Sequence, residues 1–119
     1  MKQIKRGDII YVDLGQHPKS SVQSGVRPCV VVSNNKNNRF ANVLCVLPFS
    51  SKIKEIPVHV IVSPGDVNGF FERKSDCLAE QIVTIDRRKV ISKVGHIEEE
   101  SEVMKSINEA MQLQLGLNM

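Results

Sequence analysis

The run Cys29-Val30-Val31-Val32 decides the fold class, because four successive apolar residues rich in β-branched valine are typical of a strand buried on both faces. The polar stretch Asn-Asn-Lys-Asn-Asn at 34–38 follows it and predicts a turn. Residues 15–26 precede it without apolar periodicity and are rich in Gly, Ser, Gln and Pro. They predict a loop long enough to be functional.

Other short strand patterns recur along the chain. Residues 9–14 alternate, so that their even-numbered apolar members share one face. Residues 43–47 form an apolar run, and Pro48 is expected to end it because proline cannot donate to a strand ladder. The remaining predicted strands cover residues 58–62, 76–85 and 93–97.

The last part of the chain predicts one long amphipathic helix. From Glu98 onward, apolar residues recur at helical spacing, namely Val103, Met104, Ile107, Ala110, Met111 and Leu115. Glutamates around the first turn suit the positive end of the helix dipole, and Gly116 is a suitable stop. About six strands and one C-terminal helix predict a mainly β (α+β) protein, a single domain over residues 1–119 built as a bent sheet or small barrel.

Composition excludes several classes of protein. Apolar residues make up 41% of the chain and charged residues 24%, and no stretch is long and apolar enough to span a membrane. Residues 1–8 carry charge with no apolar segment after them, which argues against a signal peptide and predicts a cytoplasmic location. The three cysteines are widely separated and lack metal-ligand spacing, so we expect small buried hydrophobic residues, with no disulfide framework, metal site or cofactor. A net charge of +3 permits a nucleic-acid partner but is weak evidence for one.

Several polar residues lie where predicted strands meet loops. Arg27 comes just before the buried strand, and Ser50 follows the strand at 43–47. Glu80 and Gln81 lie inside the predicted strand at 76–85. An arginine at a strand end is often only a surface ion pair, and serines are ordinary turn residues. These positions alone therefore leave structural and functional roles open.

A specific combination of motifs runs in order through nearly the whole chain. It consists of R-G-D at 6–8, Q-S-G-V-R-P at 23–28 leading into V-V-V-S-N at 30–34, N-R-F at 38–40, P-V-H-V at 57–60 and E-Q-I-V-T-I-D at 80–86. Together these motifs resemble the MazF/PemK-type toxins, the endoribonucleases of type II toxin–antitoxin systems.

The resemblance implies an SH3-like or CcdB-like barrel that forms a homodimer, with single-stranded RNA in a groove at the subunit interface. It also implies metal-independent, sequence-specific cleavage, in which the ribose 2′-hydroxyl attacks the neighbouring phosphorus and leaves a 2′,3′-cyclic phosphate. Such a reaction needs a general base, a general acid and stabilisation of charge on the phosphate oxygens. A cognate antitoxin is implied as well, whose acidic disordered tail lies across the same groove.

The resemblance also implies roles for individual residues. Arg27 matches the family's essential arginine, and we assign it to charge stabilisation because a guanidinium grips two phosphate oxygens and stays protonated. Ser50 falls where the family usually has threonine, and it keeps the catalytic hydroxyl. The family's RNA-contacting positions match Ser21, Gln23, Asn34, Ser75 and Gln81.

This chain departs from the family pattern at Val22, where many relatives carry a glutamate. Either that acid is dispensable, or another group replaces it, or the enzyme is weakened. Glu80 is the candidate general base, because some relatives have a carboxylate there that is implicated as the base. His17, in the long loop, is a second candidate, whereas His59 and His96 are expected to be structural.

Two other functions fit the same fold. A non-catalytic or gyrase-directed binding module is the main alternative, because a fold does not fix a function. Arg27 and Ser50 favour the nuclease, whereas Val22 weakens that case. A simple single-strand binder is disfavoured, because an aromatic content of 4% leaves few stacking platforms.

Overall fold

The computed structural model describes residues 3–117, and it shows a curled antiparallel sheet with a C-terminal helix packed against it. The strands are β1 (Asp8–Asp13), β2 (Val26–Val31), β3 (Val43–Ser50), β4 (His59–Val62), β5 (Asn68–Gly69), β6 (Ser75–Leu78), β7 (Val83–Asp86) and β8 (Val90–His96). The helices are α1 (Asn35–Phe40) and α2 (Glu102–Leu115). The predicted mainly β class is confirmed, with eight strands where we expected about six.

The strand order is β4-β6-β3-β2-β1-β8-β5, and β7 pairs with a separate part of β3. Within the described range, no helix combines the length and the apolar character needed to cross a membrane. Four residues of the predicted domain lie outside the described residues, namely Met1 and Lys2 of the N-terminal segment together with Asn118 and Met119.

The central strands are buried on both faces. Val30 and Val32 enter the first core, whereas Cys29 and Val31 enter the second. The first core adds residues of β1, β3, β6 and α2, including Ile9, Leu47, Phe49, Cys77, Met104 and Ile107. The second core is completed by Ile4, Ile10, Val12, Leu44, Val46 and Ile85. The two-sided burial predicted for residues 29–32 is therefore confirmed.

Strand β3 does not end at Pro48, and that prediction was wrong. On one edge, residues 43–46 pair with β7 and residues 49–50 pair with β6. Pro48 lies in the gap between these two pairings, where no ladder on that edge requires an N–H from it. The strand therefore continues to Ser50 and delivers this serine to the far end of the sheet.

The predicted strand at 76–85 is two strands separated by a 3₁₀ turn at Ala79–Gln81. The turn carries Glu80 and Gln81 out of the ladder, so the prediction that they lie inside a strand was wrong. Ala79 is buried in the first core and anchors the turn. The interruption places two polar side chains beside the end of β3.

The polar stretch at 34–38 is not a turn but the beginning of α1. Asn34 caps this helix, because its Oδ1 accepts a hydrogen bond from the backbone N–H of Asn37 at 2.8 Å. Asn38 is buried, and its Nδ2 donates to the carbonyl of Ser33 at 2.8 Å. Arg87 donates to the carbonyls of Asn38 and Ala41 at the helix end. These tertiary bonds offset the weak helix propensity of asparagine.

Helix α2 begins at Glu102, later than the predicted Glu98. The side chain of Ser101 caps it by accepting a hydrogen bond from the backbone N–H of Met104 at 3.2 Å. Of the four glutamates near this end, Glu102 lies in the first turn. Gly116 ends the helix in the left-handed region at φ 68°, as its sequence position predicted.

Candidate active site

A groove of about 200 Å³ lies where the end of β3, the loop after it, the long loop at 15–25 and the 3₁₀ turn meet. Five of the residues predicted to form the site line it, namely Ser21, Gln23, Ser50, Glu80 and Gln81. The remaining lining residues are Lys52, Lys54, Ile56, His59 and Leu78. The structure therefore brings together two hydroxyls, two amides, one carboxylate, one imidazole and two cations.

Ser50 is the last residue of β3 and pairs with Asp76 across the ladder. Its Oγ accepts a hydrogen bond from the backbone N–H of Lys52 at 3.2 Å. This bond orients the hydroxyl beside the loop after β3, which carries Lys52 and Lys54. The hydroxyl proton remains for an acceptor in the groove. Lys52 and Lys54 give this end of the groove a positive potential suited to phosphate.

His59 lies between two carboxylates. Its Nε2 is 2.6 Å from Oε2 of Glu80, and its Nδ1 is 2.7 Å from Oδ2 of Asp76. Both His59 and Glu80 line the groove, and Glu80 is the more exposed of the two, at 31% against 6%. Asp76 lies wholly inside the protein, at 0% exposure.

The hydrogen-bond partners of His59 fix where its protons lie. Nδ1 is hydrogen-bonded to the carbonyl oxygen of Lys54 at 3.2 Å, and because a carbonyl can only accept, Nδ1 carries a hydrogen. A second proton is then shared between Nε2 and Glu80. Burial lowers the pKa of His59, but the hydrogen bond to Glu80 and the charges of Glu80 and Asp76 outweigh it, so this pKa lies above its ordinary value.

Gln81 holds the long loop against the 3₁₀ turn. Its Oε1 accepts from the backbone N–H of Gln23 at 2.8 Å, and its Nε2 donates to the carbonyl of Ser21 at 3.0 Å. The amide that we expected to contact RNA is thus engaged with the protein itself. Gln81 shapes the groove by fixing the two loop residues that line it.

Arg27 lies near the groove but does not line it. Its Nε donates to the carbonyl of Ser24 at 3.1 Å, and within residues 3–117 no carboxylate forms an ion pair with it. The β2–β3 pairs end at Cys29 and Pro48, and Arg27 and Ser50 each lie two residues beyond this last pair on their own strands, so by alternation they lie on the face of Cys29 and Pro48. Opposite residues of an antiparallel pair point to the same face, so the register directs both side chains to one side of the sheet.

Besides Arg27, three further predicted residues lie outside the groove. Asn34 is the cap of α1, and Ser75 lines a separate cleft of about 360 Å³ beside Phe70 and Arg73. His17 is exposed and its Nε2 donates to the carbonyl of Leu14 at 3.0 Å. Val22, where relatives carry an acid, is 50% exposed.

The cysteines belong to the core and not to the site. Burial raises the pKa of the Cys29 thiol to about 12 and also raises that of Cys77, so both remain neutral. Cys45 is half-buried, with Sγ 3.7 Å from the hydroxyl of Thr84. No group of three or more histidine, cysteine or acidic side chains in residues 3–117 is arranged to hold a metal ion.

Sequence reasoning missed Asp76 as a neighbour of the site and treated His59 as structural. The sequence contains one signal, because Asp76 begins the predicted strand at 76–85 directly before Cys77, Leu78 and Ala79, and a buried carboxylate requires a partner. Identifying that partner requires the β4–β6 register, which pairs His59 with Leu78 and Ile61 with Asp76. The sequence alone does not reveal that register.

Comparison with known proteins identifies a family and a relative that this sequence matches. The family model described as PemK-like, MazF-like toxin of type II toxin-antitoxin system matches residues 5–115. Endoribonuclease EndoA of Bacillus subtilis (strain 168) is 36% identical over 116 residues, which is 96% of each chain.

Solved structures share the fold. MazF from Deinococcus radiodurans has a TM-score of 0.80 at 17% identity, with 98% of this chain and 100% of that chain covered. An endoribonuclease in complex with its cognate antitoxin, from a Mycobacterial species, has a TM-score of 0.79 at 24% identity, with 98% of each chain covered. The family match over residues 5–115 and the 36% identity to EndoA show that this chain belongs to the PemK-like, MazF-like toxins of type II toxin–antitoxin systems.

Proposed function

We propose that this chain is an endoribonuclease toxin that cleaves single-stranded RNA by attack of the ribose 2′-hydroxyl, without a metal ion. The observation that carries the proposal is the groove itself, in which Ser50, two lysines and the His59–Glu80 pair line one space. A phosphodiester in that space meets positive charge, a hydroxyl donor and a proton-transfer pair together. EndoA, the relative that is 36% identical to this chain, is named an endoribonuclease.

Glu80 is the proposed general base. It reaches the groove, whereas His59 behind it is nearly buried and shares a proton with it at 2.6 Å. The 2′-hydroxyl proton passes to the Glu80 carboxylate as the oxygen attacks phosphorus, and Glu80 returns it to the departing 5′-oxygen. The protonated ring of His59 holds the carboxylate in place during both transfers.

Arg27 and Ser50 are the proposed stabilisers of the transition state. The β2–β3 register directs both side chains to the same face of the sheet, and the two Nη groups of Arg27 can grip two phosphate oxygens. The Ser50 hydroxyl adds a neutral donor to the same charge. Because the reaction consumes the 2′-hydroxyl, DNA is not a substrate.

The RNA path that we propose extends from the groove to Ser21, Gln23, Asn34, Ser75 and Gln81. Gln23 and Ser21 line the groove, and Gln81 fixes both of them. Asn34 and Ser75 lie outside the groove and would contact more distant nucleotides. The exposed amide and hydroxyl groups suit recognition of splayed bases.

We also propose a cytoplasmic homodimer of one-domain subunits, residues 1–119, that is inhibited by a cognate antitoxin. The exposed apolar side chains of Val22 and Val83 line a small cleft that shares Gln23 and Gln81 with the groove, and they support a subunit contact there. Lys52 and Lys54 give an acidic antitoxin segment the same attraction that they give RNA. A solved relative is an endoribonuclease in complex with its antitoxin.

The test is incubation of purified protein with a long RNA in EDTA. Fragments that end in 2′,3′-cyclic phosphate are the expected result. Intact RNA together with tight gyrase binding would overturn the proposal in favour of a gyrase-directed module.

Two variants identify the base in the same assay. Glu80→Gln is expected to lose about a hundredfold or more of the single-turnover rate, whereas the exposed His17→Gln is expected to keep it. Full activity of Glu80→Gln would show that Glu80 is not the base.

A further inference from the structure

We infer that Asp76 is a positioning residue that holds His59 with its Nε2 directed at Glu80, an inference that rests on the proposed function. Asp76 does not line the groove and is 0% exposed, so it acts through His59 and not on RNA.

The surroundings of Asp76 suit this role. Its Oδ2 meets Nδ1 of His59 at 2.7 Å and accepts the backbone N–H of Lys54 at 2.9 Å. A buried carboxylate is costly unless donors of this kind compensate it. Asp76 therefore fixes two parts of the groove at once, the imidazole ring and the loop that carries Lys54.

The orientation of His59 depends on both carboxylates. Nδ1 lies 2.7 Å from Oδ2 of Asp76 and Nε2 lies 2.6 Å from Oε2 of Glu80, so a half-turn of the ring would present carbon atoms to both partners. Because Nδ1 carries the hydrogen that it donates to the carbonyl of Lys54, the remaining proton lies on the Nε2–Glu80 contact. This arrangement leaves Glu80 with a single orienting partner, and its other oxygen, Oε1, is buried with no hydrogen-bond partner among the described residues.

The charged groups around the ring decide its protonation. Asp76 faces it from β6 and Glu80 from the 3₁₀ turn, while Lys52 and Lys54 line the groove from the loop after β3. Cys77, next to Asp76, contributes no charge, because burial raises the pKa of its thiol. The two carboxylates favour the imidazolium and the two lysines oppose it.

The decisive experiment compares the parent with Asp76→Asn, a change that keeps the shape of the side chain and removes its charge. Imidazole ¹⁵N spectra follow the His59 titration, with the His59 signal identified by its absence in His59→Gln. Single-turnover cleavage of a defined RNA is measured across the same pH range. Asp8→Asn is the matched control, because Asp8 is also buried and lies 2.7 Å from Nδ1 of another histidine, His96.

We expect the His59 midpoint, and the alkaline limb of the rate profile, to move to lower pH in Asp76→Asn. The rate is expected to fall about tenfold, less than in Glu80→Gln. Asp8→Asn should leave the rate profile where it is. Should Asp76→Asn fail to fold, an Nδ1 without its proton in the parent spectrum at neutral pH would overturn the inference.

An unchanged His59 midpoint in folded Asp76→Asn would also overturn it. A lower rate with an unchanged pH profile would do the same, because it would indicate a structural role only. These results leave the proposed function intact if the parent cleaves RNA. A parent that leaves RNA intact would overturn the proposed function, and the inference with it.

Discussion

Ser50 and Ser51 are adjacent hydroxyl residues in different environments. Ser50 is half-buried and lines the groove, whereas Ser51 is exposed in the loop beyond it. We expect Ser50→Ala to lower the cleavage rate about a hundredfold, because one donor to the transition state is lost. Ser50→Thr should retain activity, and Ser51→Ala is the control. Gel analysis of a defined RNA under single-turnover conditions measures the rates, and parental activity of Ser50→Ala would contradict the role.

Arg27 is expected to be irreplaceable by lysine. Arg27→Lys keeps the charge but loses the planar fork, so a single-turnover rate about a hundredfold lower is expected. Arg88 is the matched control, because it is 90% exposed and paired with Asp86 at 2.9 Å. Arg88→Lys should cleave at the parental rate. A fast Arg27→Lys enzyme would show that charge alone suffices.

At this scale the sequence was informative about residue types and weak about contacts. Motif resemblance selected eight residues, of which five line the groove, namely Ser21, Gln23, Ser50, Glu80 and Gln81, and three do not, namely Arg27, Asn34 and Ser75. It could not show that the Gln81 amide binds the protein's own loop, since that depends on a contact across 58 sequence positions. The partners of His59 were invisible for the same reason.

Helix α2 contributes to the first core through its buried face. Ile107 is 0% exposed and Leu113 is 55% exposed on the same helix. We expect Ile107→Ala to lower the free energy of unfolding by about 2–5 kcal/mol, since it leaves a cavity. Leu113→Ala should change it by only about 0.5 kcal/mol. Urea denaturation at one fixed protein concentration measures both, and equal losses would contradict the packing.

Elements with strong periodicity were predicted well, and elements set by tertiary contacts were not. The strand at 29–32 and helix α2 follow from their own residues. Helix α1 does not, because asparagine favours turns and only the capping and Arg87 contacts make it helical. The 3₁₀ turn at Ala79–Gln81 was missed because an apolar run can continue through a break in pairing.

The stability of the whole molecule should depend on the protonation of His59. Its pKa in the folded protein lies above the ordinary value of 6.5, so its stabilising contribution is complete below that value and is lost as pH rises through the folded pKa. The difference in free energy of unfolding between the parent and His59→Gln should be largest below pH 6.5 and shrink as the pH rises above it. Urea denaturation across this range measures it.

The exposed His17 provides the control for this dependence. The free energy of unfolding of His17→Gln should match that of the parent, because within residues 3–117 the His17 side chain forms one hydrogen bond, to the carbonyl of Leu14. If the difference in free energy of unfolding between the parent and His59→Gln instead grew as the pH rose, that result would contradict the assignment of a protonated ring.

The burial of β2 on both faces has a consequence for how proteins of this architecture diverge. Any change in the middle of the strand disturbs one core or the other, so selection has little freedom there. The groove, by contrast, is built from the last residue of β3, two loops and a one-turn interruption. New RNA preferences can therefore evolve at residues 15–25 and 51–58 while the scaffold that carries them stays the same.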